Sequence, residues 1–208
     1  MGGSNGFAGS FIILVMPTKE RIEKVERVLS FRQPDLHVVL EEVTNTHNAS
    51  AVVRTCDAAG ILHVDIISSE KNPFPVNRAI STKAEKWLQF TSYPSTRKCL
   101  THLKKKGFKI LSTQLGDESQ PYTDIDYTQP MALVFGNESA GISEEALGLS
   151  DYVVKIPMFG MAQSLNLSVS VGIILYEAIR QKLKKNEKEP NHLSKKEFET
   201  LRKKWLGL

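Results

Sequence analysis

A chain of 208 residues with 41% apolar side chains can bury one core of ordinary size, so a single domain with extensions is expected rather than two domains. Its longest apolar runs, near residues 7–16 and 169–176, fall short of the roughly 20 residues a membrane span needs and lack the flanks of a cleaved signal, which points to a soluble, cytoplasmic protein. The net charge of +4 hides an asymmetry: residues 180–208 hold ten Lys or Arg against four Asp or Glu, a basic tail suited to a polyanion, though a solvated helix end would look the same.

Residues 1–15 are Gly-rich and stand outside the periodic pattern that follows, and Met16-Pro17 reads as a second start, so this segment is expected to be a leader or an appended remnant. Thr18 then caps a helix to about Arg32, with Ile22, Val25, Val28 and Leu29 on one stripe. Residues 16–35 thus form an N-terminal helical extension. Strand-like runs recur at 36–43, 63–68, 86–90, 108–113, 131–135 and 152–156, and helical patterns at 49–59, 95–106, 143–149 and 167–184. This alternation predicts an α/β fold over 36–181, a mostly parallel sheet flanked by helices. Gly60 and Gly107 directly follow helical patterns, as left-handed C-caps do. A basic C-terminal extension over 182–208 follows, a charged stretch at 182–188 leading to an amphipathic helix at 194–205.

Ligands of such sheets bind beyond the C-terminal ends of the strands, which singles out the segments after Val43, Phe135 and Ile156. None carries a GxGxxG motif, and GNESAG at 136–141 lacks the Lys-Ser or Lys-Thr of a phosphate loop. Cys56, Cys99 and the five histidines, His37, His47, His63, His102 and His192, sit in no metal or redox spacing, so no metal is expected. In HNASAVVRTCDAAG (47–60), Asn48 is the expected N-cap. Arg54 stands among small residues at the ligand edge, able to grip phosphate or carboxylate, unless it merely pairs with Asp57. In LVFGNESAGIS (133–143) a strand-to-helix turn capped by Ser143 accounts for Gly141 but not for Glu138. In IPMFGMAQSLNLSVSVGIILYE (156–177), backbone near Ile156 and Ser164 to Asn166 suits a flat heterocycle, with Met158, Phe159, Met161 and Leu165 as apolar walls. An adenine ring with a sulfonium fits that lining. Ser168 and Ser170 read as helix residues bonding back to the preceding turn.

In order and spacing, NASAVVRTCDAAG, LVFGNESAGIS and IPMFGMAQSLNLSVSVGIILYE resemble the three motifs of the SPOUT-class RNA ribose 2′-O-methyltransferases, and the likeness runs from RQPDL (32–36) through DYTQP (126–130) to the final helix. Among these enzymes the chain is most similar to the tRNA (guanosine-18) 2′-O-methyltransferases. The resemblance implies methyl transfer from S-adenosyl-L-methionine to a ribose 2′-hydroxyl in the tRNA D-loop, a C-terminal trefoil knot, and a homodimer with its site at the subunit boundary. It further implies that Thr113, Gly136, Ile156, Met158, Ser164 and Leu165 hold the cofactor. Arg54 would be catalytic, with Asn48, Glu138, Ser164 and Asn166 around the ribose and its phosphate. A guanidinium is a poor proton acceptor near neutrality, so two roles stay open for Arg54: base after transient deprotonation, or a charged stabiliser of the developing alkoxide. Two alternatives accompany the D-loop expectation. One is the same chemistry on ribosomal RNA or the tRNA wobble nucleotide, although ribosomal relatives usually carry a separate N-terminal domain and wobble-type relatives lack terminal extensions. The other is a non-catalytic RNA-binding protein of the same fold.

Overall fold

The computed structural model describes residues 16–68, 83–116, 118–185 and 193–208; the expected leader and part of the charged stretch at 182–188 lie outside them. Thr18 is extended and accepts a hydrogen bond from the Arg21 amide, starting α1 (Lys19–Ser30), which buries Val25 and Leu29. There follow β1 (Gln33–Glu41), α2 (Thr46–Ala58), β2 (Ile61–Ile67), a 3₁₀ turn (Ala84–Trp87), β3 (Gln89–Tyr93), α3 (Thr96–Lys105) and β4 (Lys109–Thr113). The second half holds β5 (Gln120–Pro121), a 3₁₀ turn (Tyr122–Asp124), β6 (Met131–Phe135), α4 (Glu144–Leu149), β7 (Tyr152–Lys155), α5 (Leu167–Lys185) and α6 (Lys195–Leu206).

The seven strands form one sheet in the order β3-β2-β1-β6-β4-β7-β5, with every pairing parallel, as the strand-helix alternation predicts. Parallel strands need helices on both faces, and both faces are apolar here. Leu36, Val38 and Leu40 of β1 face α2 and α5 with Val52, Val53, Ile174 and Leu175, whereas Val39 faces α3 and α4 with Leu100, Leu103 and Ala146. A third, smaller core joins α1 and α6 to Leu62 and Trp87 through Leu29, Leu201 and Trp205. Gly60, at φ +75°, closes α2 where a Cβ would lie 2.6 Å from the Phe31 carbonyl oxygen, so the expected left-handed cap is also sterically required.

Several expectations are corrected. The strand expected at 86–90 is a 3₁₀ turn followed by β3, because Trp87 leaves the sheet to pack edge-on against Trp205, 5.2 Å between ring centroids. Asn45, not Asn48, caps α2: its Oδ1 accepts from the amides of His47 and Asn48, and Asn48 is left inside the first helical turn with its side chain turned to Glu138 and Asn166. Arg54 makes no pair with Asp57, whose carboxylate is taken by the fully buried Arg32. β5 is two residues long, too short to show a period, and pairs at the sheet edge with β7. α5 runs on through Lys185, and Lys182, counted in the basic tail, is buried with Nζ 2.6 Å from Asp35 Oδ2.

Candidate active site

The chain from β1 to α2 turns sharply: Glu42 holds the left-handed conformation at φ +50°, and its carbonyl accepts from Asn137 Nδ2 at 2.7 Å. That bond fixes the segment after β6. Asn137 Oδ1 accepts from the Ser139 and Ala140 amides, and Asn137 and Gly141 exchange backbone bonds of 2.9 and 3.0 Å, making a tight loop. Gly136 sits inside this loop; a Cβ there would lie 2.2 Å from the Gly141 oxygen, so no other residue fits unchanged. Below the loop, the buried Glu41 accepts from the Ser143 amide and hydroxyl at 3.0 and 2.7 Å and from Thr96 Oγ1, pinning the starts of α3 and α4 to the end of β1.

Glu138 now has its explanation. Its carboxylate accepts from the Thr44 and Asn45 amides at the positive end of α2 and from Asn48 Nδ2 at 3.1 Å. Asn48 Oδ1 in turn accepts from Asn166 Nδ2 at 2.9 Å, and Asn166 Oδ1 accepts from the amide and hydroxyl of Ser168 at the start of α5. One chain of hydrogen bonds therefore links all three singled-out segments. It also corrects the expectation for Ser168, whose hydroxyl bonds to Asn166 rather than to a turn of its own helix.

Beside this chain, at the C-terminal ends of β4, β6 and β7, opens a cavity of about 610 Å³. The predicted residues Asn48, Thr113, Gly136, Glu138, Ile156, Met158, Ser164, Leu165 and Asn166 all line it. Arg54 does not: it lies on the exposed stripe of α2 with no hydrogen bond or ion pair among the described residues. Phe159 and Met161, expected as walls, are 97% and 100% exposed. Asn45, Asn137 and Glu41 escaped the sequence reading. The signals for them were an Asx residue just ahead of a helical pattern, an Asn between two glycine-rich turn positions, and a lone acid closing an apolar strand.

The lining fits S-adenosyl-L-methionine. Residues 157–165 make no hydrogen bond among the described residues, so their amides and carbonyls remain open to a ligand, while Leu115, Ile156, Met158 and Leu165 offer apolar surface. The volume lies within the roughly 300–1,000 Å³ usual for cofactor sites. No group of acids, histidines and cysteines among the described residues could hold a metal ion. Burial raises the thiols of Cys56 and Cys99, keeping them neutral, so neither is a nucleophile.

Comparison with known proteins agrees with this geometry. The profile of the SpoU rRNA Methylase family matches residues 35–176. This chain belongs to that family. It is similar to the tRNA (guanosine(18)-2′-O)-methyltransferase of Aquifex aeolicus (strain VF5), 41% identical over 187 residues, 90% of this chain and 89% of the relative. The crystal structure of the A. aeolicus TrmH/SpoU tRNA modifying enzyme superposes with a TM-score of 0.84 over 90% of this chain and 95% of that one, at 41% identity. The SpoU methyltransferase AviRb of Streptomyces viridochromogenes, solved in complex with AdoMet, superposes with a TM-score of 0.63 at 27% identity, over 76% of this chain and 61% of that one. No helix among the described residues is long and apolar enough to cross a membrane.

Proposed function

We propose that this protein transfers the methyl group of S-adenosyl-L-methionine to the ribose 2′-hydroxyl of guanosine 18 in the tRNA D-loop. As a member of the SpoU methylase family it is an S-adenosylmethionine-dependent RNA 2′-O-methyltransferase. The observation that carries the reading is the chain Glu138–Asn48–Asn166, which ties the end of the open, hydrogen-bond-poor segment 157–165 to α2 and to the loop after β6 beside one cavity. The tRNA target rests on the extent of the likeness. The family profile stops at residue 176, but the relative named for tRNA guanosine 18 matches 187 residues, so the similarity reaches into the terminal extensions.

The cofactor, when bound, supplies a sulfonium methyl group open to attack by oxygen. On taking up that methyl group the ribose 2′-hydroxyl, a weak nucleophile, would release its proton to solvent water. Thr113, Gly136, Ile156, Met158, Ser164 and Leu165 hold the donor; Asn48, Glu138, Ser164 and Asn166 orient the ribose and its phosphate. Arg54 is the catalytic cation, gripping the phosphate beside the reacting ribose and stabilising the developing alkoxide.

Arg54 lies outside the cavity of the single chain, which favours a site completed in a homodimer. Supporting this, Phe31, Tyr176 and Leu183 are 48, 53 and 48% exposed and, with Val28 and Ile179, line an apolar groove of about 330 Å³ along α5. A second copy of this chain covers that face. The same reading includes cytoplasmic location and a C-terminal knot, for which the return of 157–166 from β7 across the cavity before α5 packs on α2 is the support. The test is to incubate the pure protein with radiolabelled methyl donor and unmodified tRNA and then map the label. Methylation at the 2′-oxygen of guanosine 18 is expected; label on another nucleotide, or none, overturns the assignment.

A further inference from the structure

A second cavity, of about 480 Å³, lies far from the first and has no part in holding the methyl donor. It is lined by Arg21 of α1, Lys83, Lys86 and Trp87 around the first 3₁₀ turn, and Lys204 and Trp205 of α6. All four cations are exposed, and no carboxylate lines it among the described residues. The floor is rigid. Trp205 is 6% exposed, meets Trp87 edge-on, and carries the buried Arg32 guanidinium over its ring at 5.1 Å. Arg21 Nη2 donates to the Trp205 carbonyl at 3.1 Å, which holds that cation at the rim. Lys83 occupies the left-handed conformation, φ +65°, which a lysine adopts only under constraint, and this presents it beside Lys86.

β1 measures the separation of the two cavities. Arg32, just before β1, touches the cleft floor, while Glu41 and Glu42 at its far end anchor the loop of the donor cavity. At about 3.3 Å per residue, β1 places the two sites about 25 Å apart along the strands.

We propose that this cleft is a second RNA-phosphate site, gripping a part of the substrate remote from the ribose that is methylated; the proposal rests on the RNA-methylating reading above. Four cations on a fixed aromatic floor, drawn from both terminal extensions and from the sheet body, suit a phosphodiester backbone, and their spacing from the donor cavity suits a folded RNA longer than a single stem-loop. Deleting α6 is a poor test, since Leu201, Trp205 and Leu206 would leave the third core and folding would suffer as well.

The better test replaces Lys83, Lys86 and Lys204 together with alanine, all exposed positions, with thermal melting and calorimetry against S-adenosylhomocysteine to verify fold and donor site. Affinity for full-length tRNA and for an isolated D-arm stem-loop is then measured across a potassium chloride series. Full-length tRNA is expected to bind on the order of ten-fold more weakly, with a salt slope reduced by roughly two to three, about one per lost contact. Binding of the D-arm fragment is expected to stay unchanged. Wild-type affinity and slope for full-length tRNA, or equal losses for both RNAs, overturn the proposal. A wild-type protein that neither binds nor methylates tRNA overturns the parent reading instead, and the cleft's role with it.

Discussion

Gly136→Ala is expected to damage both stability and donor binding, and the size of the effect follows from three distances. The added Cβ would lie 2.2 Å from the Gly141 oxygen, 2.4 Å from the Gly141 carbonyl carbon and 2.6 Å from the Ile142 nitrogen. All three are backbone atoms, so no side-chain rotation relieves the clash; residues 141–142 must retreat by more than 1 Å to reach ordinary contact at 3.4 Å. That movement breaks the paired Asn137–Gly141 backbone bonds, worth about 1 kcal/mol each, and adds overpacking strain of about 1–3 kcal/mol. The expected loss is about 3–5 kcal/mol in urea denaturation, with donor affinity falling on the order of a hundred-fold as the cavity wall shifts. Gly172→Ala is the control: its Cβ would meet only Thr55 Cγ2 at 3.8 Å, within a helix where alanine gains up to about 1 kcal/mol over glycine. If calorimetry with S-adenosylhomocysteine and urea melts cannot tell Gly136→Ala from wild type, the loop is not the tight wall described.

Three further outcomes are expected. Arg54→Ala is expected to cut single-turnover methyl transfer by about 10²–10³-fold with the fold intact, and Arg54→Lys to recover part of it; wild-type rates for both would remove Arg54 from the chemistry. Arg32→Met leaves the Asp57 carboxylate and the Ile61 carbonyl without their buried cation, an expected cost of about 3–5 kcal/mol in chemical denaturation, and a loss below 1 kcal/mol would contradict the ion pair. Burial, with the neighbouring His37, depresses His63 from 6.5 to about 4. The unfolded chain therefore binds a proton that the folded one refuses, so stability is full above pH 6.5 and falls by about 3 kcal/mol towards pH 4; His63→Phe should flatten that limb of the pH–stability curve.

The sheet was legible because its strands are buried on both faces and their connections end in residues with fixed geometry, such as Gly60 and Gly107, both left-handed as expected. The three site segments were legible because the sequence places polar residues where strands end, and the cavity gathers nearly all of them. Local patterns could not assign each element's partner. Trp87 carries a strand-like apolar signal, yet its burial belongs to the α1–α6 core; Lys182 reads as solvated tail, yet Asp35, distant in sequence, draws it inside. Between Asn45 and Asn48, either of which suits a helix start, only the position of Glu138 decides, since it binds the Asn45 amide and the Asn48 side chain together. Phe159, Met161 and Arg54 project away from the donor cavity, because a sequence marks what is polar or apolar without saying which surface will cover it.

These misplacements share a cause that bears on how the site works. The donor cavity combines a rigid half with a loose one. The rigid half is β1 with Glu41 and Glu42 locked to Thr96, Ser143 and Asn137, and its geometry is over-determined by buried hydrogen bonds. The loose half is 157–165, which makes no hydrogen bond of its own among the described residues and exposes Phe159 and Met161 fully. A segment with so few internal contacts is the part of the site whose local stability is lowest, so ligand contacts there act on the weakest element. The Asn48–Asn166 bond joins the two halves, which makes it the point where order imposed on the loose segment by the donor reaches α2, the helix that carries Arg54.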